Sequence, residues 1–311
     1  MKIRYGTRGS ALAVAQSEWF AAELGRLHPG LEVEQVVIQT SGDRFSLAQP
    51  EDEPGGTEAP NVKAMFVKEL EEALLAGTID FAVHSSKDLP GDLPQGLVLA
   101  AFPTREDPRD VYIGTPAAPC WKTVQAGSGA GRPRPRVATA ALRRQIQLGR
   151  SAPGASFVTM RGNVDTRLRK LAEGAADGLV LAKAGLKRLG RDSVPHEILS
   201  EEIIVPAPGQ GALAVEARED RREVMDLLSA ADHAPTRLEV ECERAFLRML
   251  GGGCRTPLGA WARISGSILE FLWFWSDDEG RKPRRGSFTC PADPAEFKKK
   301  AAEAAERCLA L

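Results

Sequence analysis

Residues Asp80 to Pro90 read DFAVHSSKDLP. Phe81 to His84 is apolar enough for a short buried strand, and Ser85-Ser86-Lys87-Asp88 ends it with four polar residues. Upstream, Phe66 to Ala76 has helical periodicity and closes at Gly77, a residue suited to the left-handed position after a helix. Helix, glycine, buried strand and polar turn, in that order, form the repeating unit of an α/β fold. In such folds ligand sites lie at the carboxyl ends of the strands.

The same rhythm extends in both directions. Lys2 to Tyr5 alternates as a strand, Thr7-Arg8-Gly9-Ser10 breaks it, and Ala11 to Leu27 is helical until Pro29-Gly30. Val33 to Gln39 is a second strand. Leu142 to Leu148 and Val164 to Ala172 read as helices, and Leu179 to Ala182 as a strand. After about Leu228 the character changes. A helix over Thr236 to Leu250, a strand over Ile268 to Trp275 and a terminal helix over Ala295 to Cys308 indicate a separate α+β domain. Gln49 to Pro60 is an acidic Pro/Gly loop, either a lid or a plain surface insertion, and Ala126 to Pro135 is a linker.

A chain of 311 residues suggests two or three domains of roughly 100–150 residues each. At 43% apolar and 27% charged it has the composition of a globular protein. No apolar run approaches the ~18 residues of a membrane span and the N-terminus lacks a signal pattern, so a cytoplasmic address is expected. Five scattered cysteines without a C-x-x-C pair argue against a disulfide framework or a zinc site, and four scattered histidines argue against a histidine-ligated metal.

The formal charge of −1 conceals a local excess. Of the 41 basic residues 29 are arginine, and Arg132 to Arg169 holds nine arginines, no lysine and one acid, Asp165. That window carries +8. A nucleic-acid binder would interleave aromatics with such arginines, yet the only aromatic there is Phe157.

Three places combine a strand end, a small or hydroxyl residue, an arginine and a helix start: Thr7-Arg8-Gly9-Ser10, Thr139 to Arg144, and Arg161-Gly162-Asn163. Helix N-termini attract anions, and guanidinium groups match carboxylates in geometry. Three such corners suit a ligand with several carboxylates or phosphates; the plainer reading is capping residues with solvated arginines. Asp88, beside Lys87, can stabilise a developing cation and accept a hydrogen bond from an N–H, or it can serve as a cap. Cys254 lies in Gly251-Gly252-Gly253-Cys254-Arg255, where three glycines leave room around one thiol. That setting suits covalent attachment, against the commoner case of an inert thiol.

Taken together, the segments TRGSALAVAQ, FVKELEEALL, DFAVHSSKDLP, REDPRDV, LRRQIQL, RGNVDTRL, LAKAGLKRLG, PAPGQGALAVE and ERAFLRMLGGGCRTPLGAWA resemble the hydroxymethylbilane synthase (porphobilinogen deaminase) family. The similarity runs from Arg4 to about Ala262. It implies two periplasmic-binding-protein-like α/β domains with a double crossover, plus a small C-terminal α+β domain. The implied bounds are 1–103 with 212–229, then 104–211, then 230–311.

The resemblance also implies residue roles. Cys254 would carry a dipyrromethane cofactor through a thioether, and Asp88 would be catalytic. Lys87, Asp88, Thr139, Arg143, Arg144, Arg167 and Gly211 would bind the cofactor. Arg8, Ser10, Arg161, Arg188, Phe66 and Gln210 would bind substrate, and Lys63 would belong to the active-site loop, mobile over about 46–60. The implied reaction joins four porphobilinogen molecules head to tail with loss of ammonia, then releases 1-hydroxymethylbilane. The implied protein is a cytoplasmic monomer with no metal, nucleic-acid or membrane partner.

Two departures stand out. The family's usual Gly-Thr-Ser-Ser is Ala138-Thr139-Ala140-Ala141 here, and its Gly-Gly-Lys-Gly is Asn61-Val62-Lys63-Ala64. They leave open a catalytically degenerate relative, or a non-enzymatic binding module for a carboxylated small molecule.

Overall fold

The computed structural model describes residues 1–41, 64–127, 133–251 and 256–310, with the side chains of 64–66 outside that set. The first sheet is built from β1 (Lys2–Arg8), β2 (Glu32–Ile38), β3 (Phe81–Ser85), β4 (Leu97–Ala101) and β10 (Leu213–Arg218), in the order β2-β1-β3-β10-β4. Strands β1, β2 and β3 are parallel, and β10 runs antiparallel to both its neighbours. Helices α1 (Ala11–Leu27) and α2 (Ala64–Leu75) belong to the same unit.

Period-2 alternation decides which helix covers which face. Phe81 and Val83 of β3, with Val215 and Ala217 of β10, pack with Phe20 and Leu24 of α1. The alternate residue Ala82 joins Leu70 and Leu74 of α2. Tyr5 and Phe20 each bring a ring centroid 5.7 Å from Phe81, stacked and edge-on respectively.

The second sheet repeats the plan with β5 (Asp110–Gly114), β6 (Arg136–Ala138), β7 (Ser156–Val158), β8 (Gly178–Ala182) and β9 (Glu197–Ile198), ordered β7-β6-β8-β5-β9. Its helices are α3 (Trp121–Ala126), α4 (Leu142–Ser151), α5 (Val164–Ala172) and α6 (Lys183–Arg188). Again three strands are parallel and one, β5, is antiparallel to β8. The chain therefore crosses between sheets twice, over 102–109 and 199–212, and each crossing delivers an antiparallel strand. This is the expected pair of doubly crossed α/β units.

Helix α7 (Arg222–Ser229) completes the first lobe. Helix α8 (Ala234–Met249), the antiparallel strands β11 (Leu258–Ser265), β12 (Ile268–Trp275) and β13 (Arg284–Pro291), and α9 (Pro294–Leu309) make the α+β unit. Its core centres on Phe246, Phe271 and Phe297, with Phe271 and Phe297 edge-on at 5.0 Å.

Several boundaries depart from the sequence reading by one to three residues, α4 running on to Ser151 and α2 starting at Ala64. Strand β1 does not break at Thr7 but runs through Arg8, because Thr7 is fully buried and pairs in register with Val37 of β2. The break falls at Gly9-Ser10. Helix α1 and helix α5 occupy the expected residues, and β12 does as well.

Candidate active site

The two crossings and the turn after β3 meet at one place. Ser86 to Asp88 form a single 3-10 turn, and the Ser86 N–H donates to the Ala212 carbonyl at 3.0 Å. Gly209 has φ +70°, and a Cβ there would lie 2.5 Å from Ser86 Oγ. Gly211 has φ +86°, and a Cβ there would lie 2.4 Å from the Glu106 carbonyl oxygen. Both positions require glycine, for backbone conformation and for close approach. The Gly211 carbonyl accepts from Arg188 Nη2 at 2.6 Å and from the Glu106 N–H at 3.2 Å.

Behind this turn lies Asp110, fully buried at the start of β5. Its carboxylate accepts from Arg143 Nη2 at 2.9 Å, Arg144 Nη2 at 2.7 Å, Arg144 Nε at 3.1 Å and Gln210 Nε2 at 2.9 Å. Although burial opposes ionisation, the two guanidinium groups hold this carboxyl well below the usual range. Arg143 also donates to the Val205 carbonyl and Arg144 to the Val180 carbonyl. Asp110 went unnoticed as a site residue in the sequence. The available signal was an acid opening the apolar run Val111-Tyr112-Ile113, where a buried carboxylate needs cationic partners.

Lys87 is electrostatically coupled to Asp88 on its own turn and to Arg144, Asp110 and Arg143 across the crossing. Burial first, then the two arginines, push its ammonium down to about 8, with Asp88 and Asp110 opposing. Arg167, one helix away, is lowered to about 10 by burial and by Arg144. Arg188 is lowered to about 10 by burial, against the pull of Glu106. Lys87, Arg143, Arg144 and Arg167, linked through Arg144, form a region of positive excess suited to anionic groups. Lys87 of the first lobe thus lies within electrostatic reach of Arg143 and Arg144 of the second, and Arg167 within reach of Arg144. Arg143 and Arg144 hold Asp110, and Arg167 Nε donates to the Gly162 carbonyl at 2.7 Å. A cationic donor set of this kind fits a polycarboxylate such as dipyrromethane.

The three helix corners differ in how they are capped. Ser10 caps α1 by accepting from the Ala13 N–H at 3.4 Å, and Arg8 ends β1 beside it. Asn163 caps α5 by accepting from the Thr166 N–H at 2.8 Å, with Arg161 two residues before it. At α4 the cap is Ala141, which has no side-chain acceptor; buried Thr139 accepts from the Ala141 N–H at 3.4 Å instead. Cys254, Lys63 and the loop 46–60 lie outside the described residues, and Phe66 lies in the first turn of α2 with its side chain outside them. Among the described residues, no group of histidine, cysteine or acidic side chains has the arrangement of a metal site, and no helix is long and apolar enough to cross a membrane.

A second buried carboxylate, Glu243 of α8, links the α+β unit to both crossings. It accepts from Arg105 Nη1 at 2.7 Å and Nη2 at 3.0 Å, from the Gly209 N–H at 2.6 Å and from the Ala262 N–H at 2.8 Å.

Fold and site together define a two-lobed α/β protein with a cationic cluster at its crossings and an appended α+β unit. Residues 3–226 match the family model described as "Porphobilinogen deaminase, dipyromethane cofactor binding domain", and residues 237–307 match "Porphobilinogen deaminase, C-terminal domain". The chain belongs to the porphobilinogen deaminase family. It is 44% identical to the porphobilinogen deaminase of Syntrophotalea carbinolica, over 94% of this chain and 89% of that one. It is 40% identical to that of Trichlorobacter lovleyi, over 99% and 93% respectively. Among solved structures it is similar to the periplasmic VFT2 domain of Bordetella pertussis BvgS, with a TM-score of 0.40 and 17% identity over 74% of this chain and 86% of that one.

Proposed function

We propose that this protein is a hydroxymethylbilane synthase, joining four porphobilinogen molecules head to tail with loss of ammonia and releasing linear 1-hydroxymethylbilane. The observation that carries the reading is the cationic cluster of Lys87, Arg143, Arg144 and Arg167 around the turn that bears Asp88 and the buried Asp110, in a chain whose residues 3–226 match a cofactor-binding domain. The dipyrromethane, attached at Cys254, supplies the pyrrole terminus to which each new ring is joined.

Each substrate ring carries carboxylates, and Arg8, Ser10, Arg161, Arg188, Phe66 and Gln210 receive or orient it. Arginine keeps its charge at any working pH, so the clamp holds as carboxylates accumulate. Asp88 accepts the pyrrole N–H and stabilises the cation that remains on the substrate when ammonia leaves. Thr139 and Gly211 complete the cofactor cradle, and Lys63 is assigned to the active-site loop. We assign the first domain to 1–103 with 212–229, the second to 104–211 and the third to 230–311. The proposed protein works as a cytoplasmic monomer, without metal, nucleic acid or membrane.

Intact mass of the purified protein tests this reading. The expected result is an increment of two linked pyrrole units that is absent in Cys254→Ala, with porphobilinogen consumed by the parent. Asp88→Ala is expected to keep the increment and lose most turnover. An unmodified parent chain that leaves porphobilinogen untouched would overturn the proposal.

A further inference from the structure

On the α2 face of the first sheet, opposite the Phe81–Val83 face, three ionisable side chains are buried together. His84 of β3 and Glu216 of β10 approach to 3.0 Å between Nε2 and Oε2, and Glu71 of α2 faces both. Glu216 is fully buried and His84 nearly so. Glu71 Oε1, both Glu216 carboxylate oxygens, His84 Nε2 and Arg244 Nη1 find no hydrogen-bond partner of good geometry among the described residues, so the 3.0 Å approach of His84 to Glu216 is an ionic contact. Orphaned buried polar atoms in such number require a bound proton, internal water or both.

The position of this cluster matters. His84 precedes the Lys87–Asp88 turn by three residues, and Glu216 lies on the strand delivered by the second crossing. Arg244 of α8, which faces Glu216, donates to the Pro90 and Gly91 carbonyls directly after that turn. Helix α2 packs on β1, β3, β4 and β10.

We propose that Glu71, His84 and Glu216 form a proton-sharing positioning cluster that seats helix α2 on β3 and β10 and so sets the Lys87–Asp88 turn. The groups acting on Glu71 are Glu216 from β10, His84 from β3 and Glu72 from its own helix; Lys2, Arg4, Tyr5 and Arg8 of β1 and Arg218 of β10 are not among them, β4 carries no ionisable side chain, and Arg244 faces Glu216 from the third unit. Burial first, then Glu216, pushes the Glu71 carboxyl up to about 7, with His84 opposing and Glu72 adding to the rise. As pH rises toward and through that value the Glu71 carboxyl gains a negative charge beside Glu216, and the seat of α2 loosens. None of these three residues touches substrate in the proposed function. Their effect on turnover rests on that reading of Asp88, whereas their effect on α2 does not.

The test is hydrogen exchange of α2 amides on the full chain between pH 6 and pH 8, corrected for intrinsic rates, in parent and Glu71→Gln. The expected result is a loss of α2 protection of threefold or more in the parent, accumulating up to about pH 7, levelling off above it, and absent in E71Q. The ratio of kcat in E71Q to kcat in the parent is expected to rise over the same interval, with KM unchanged within twofold. In Glu216→Gln, which also serves if E71Q fails to fold, the protection step is expected to move to lower pH. A step that persists unmoved in these variants, or an effect confined to KM, would overturn the proposal. An exchange step without any kcat change would keep the cluster's hold on α2 but sink its link to the turn.

Discussion

Arg144 grips Asp110 twice, with Nη2 at 2.7 Å and Nε at 3.1 Å, while Arg143 takes the other carboxylate oxygen at 2.9 Å. Two neighbouring cations on one helix are thereby held side by side by a single buried anion from a different strand. The anion fixes their direction, and their combined charge exceeds it.

Asp110→Asn leaves two buried guanidinium groups facing a neutral amide. Removing one partner of a buried ion pair costs about 3–5 kcal/mol, so a clear fall in the denaturant midpoint is expected. Because the native carboxyl is held below its unfolded value, its contribution is present above about pH 4 and is lost only as pH falls through the native value. The gap between parent and variant should therefore stay constant from pH 5 to pH 9. A gap that shrank across this range would contradict the assignment.

Lys87 offers the opposite behaviour. In protein lacking the attached group (Cys254→Ala), its ammonium should lose charge as pH rises through about 8. Porphobilinogen binding, followed by calorimetry, is expected to weaken between pH 7 and pH 9. In Lys87→Arg, also in the Cys254→Ala background, the charge is permanent and the dependence should flatten. Equal slopes for the two proteins would remove Lys87 from the carboxylate clamp.

Ala141 caps α4 without an acceptor side chain. Ala141→Ser should supply one to the first-turn N–H groups and stabilise the protein by about 0.5–2 kcal/mol. Thermal unfolding reads the gain; an unchanged midpoint would mean that the cap is already satisfied.

Glu243 should behave as a joint. Glu243→Ala strands buried Arg105, and a loss of about 3–5 kcal/mol is expected. Arg105→Ala added to it should cost far less than Arg105→Ala alone, because the two form one network with the Gly209 and Ala262 N–H groups. Additive costs in the double-mutant cycle would show that the contact carries no coupling.

Much of the fold was legible because local pattern sufficed. The apolar spacing of Ala11–Leu27 and Val164–Ala172 gave both helices, and the DFAVHSS stretch gave β3 with its terminal turn. The short β6, β7 and β9 left little trace, since two or three residues cannot display a period, and β10 is buried on both faces up to Arg218 and so shows no clean alternation. Arg143 and Arg144 were visible as cations at a helix start, but their shared anion lies more than thirty residues earlier. The Glu71–His84–Glu216 cluster joins a helix to two strands far apart in sequence, and no single window contains it.

The strand order β2-β1-β3-β10-β4 has a consequence for synthesis. The middle of the first sheet is vacant until residues 213–218 leave the ribosome, by which time every strand of the second sheet has already emerged. The lobe that begins the chain is thus the later of the two to be completed. A nascent chain halted before Leu213 would present a finished second lobe beside a first sheet with exposed β3 and β4 edges, the kind of surface on which chaperones act.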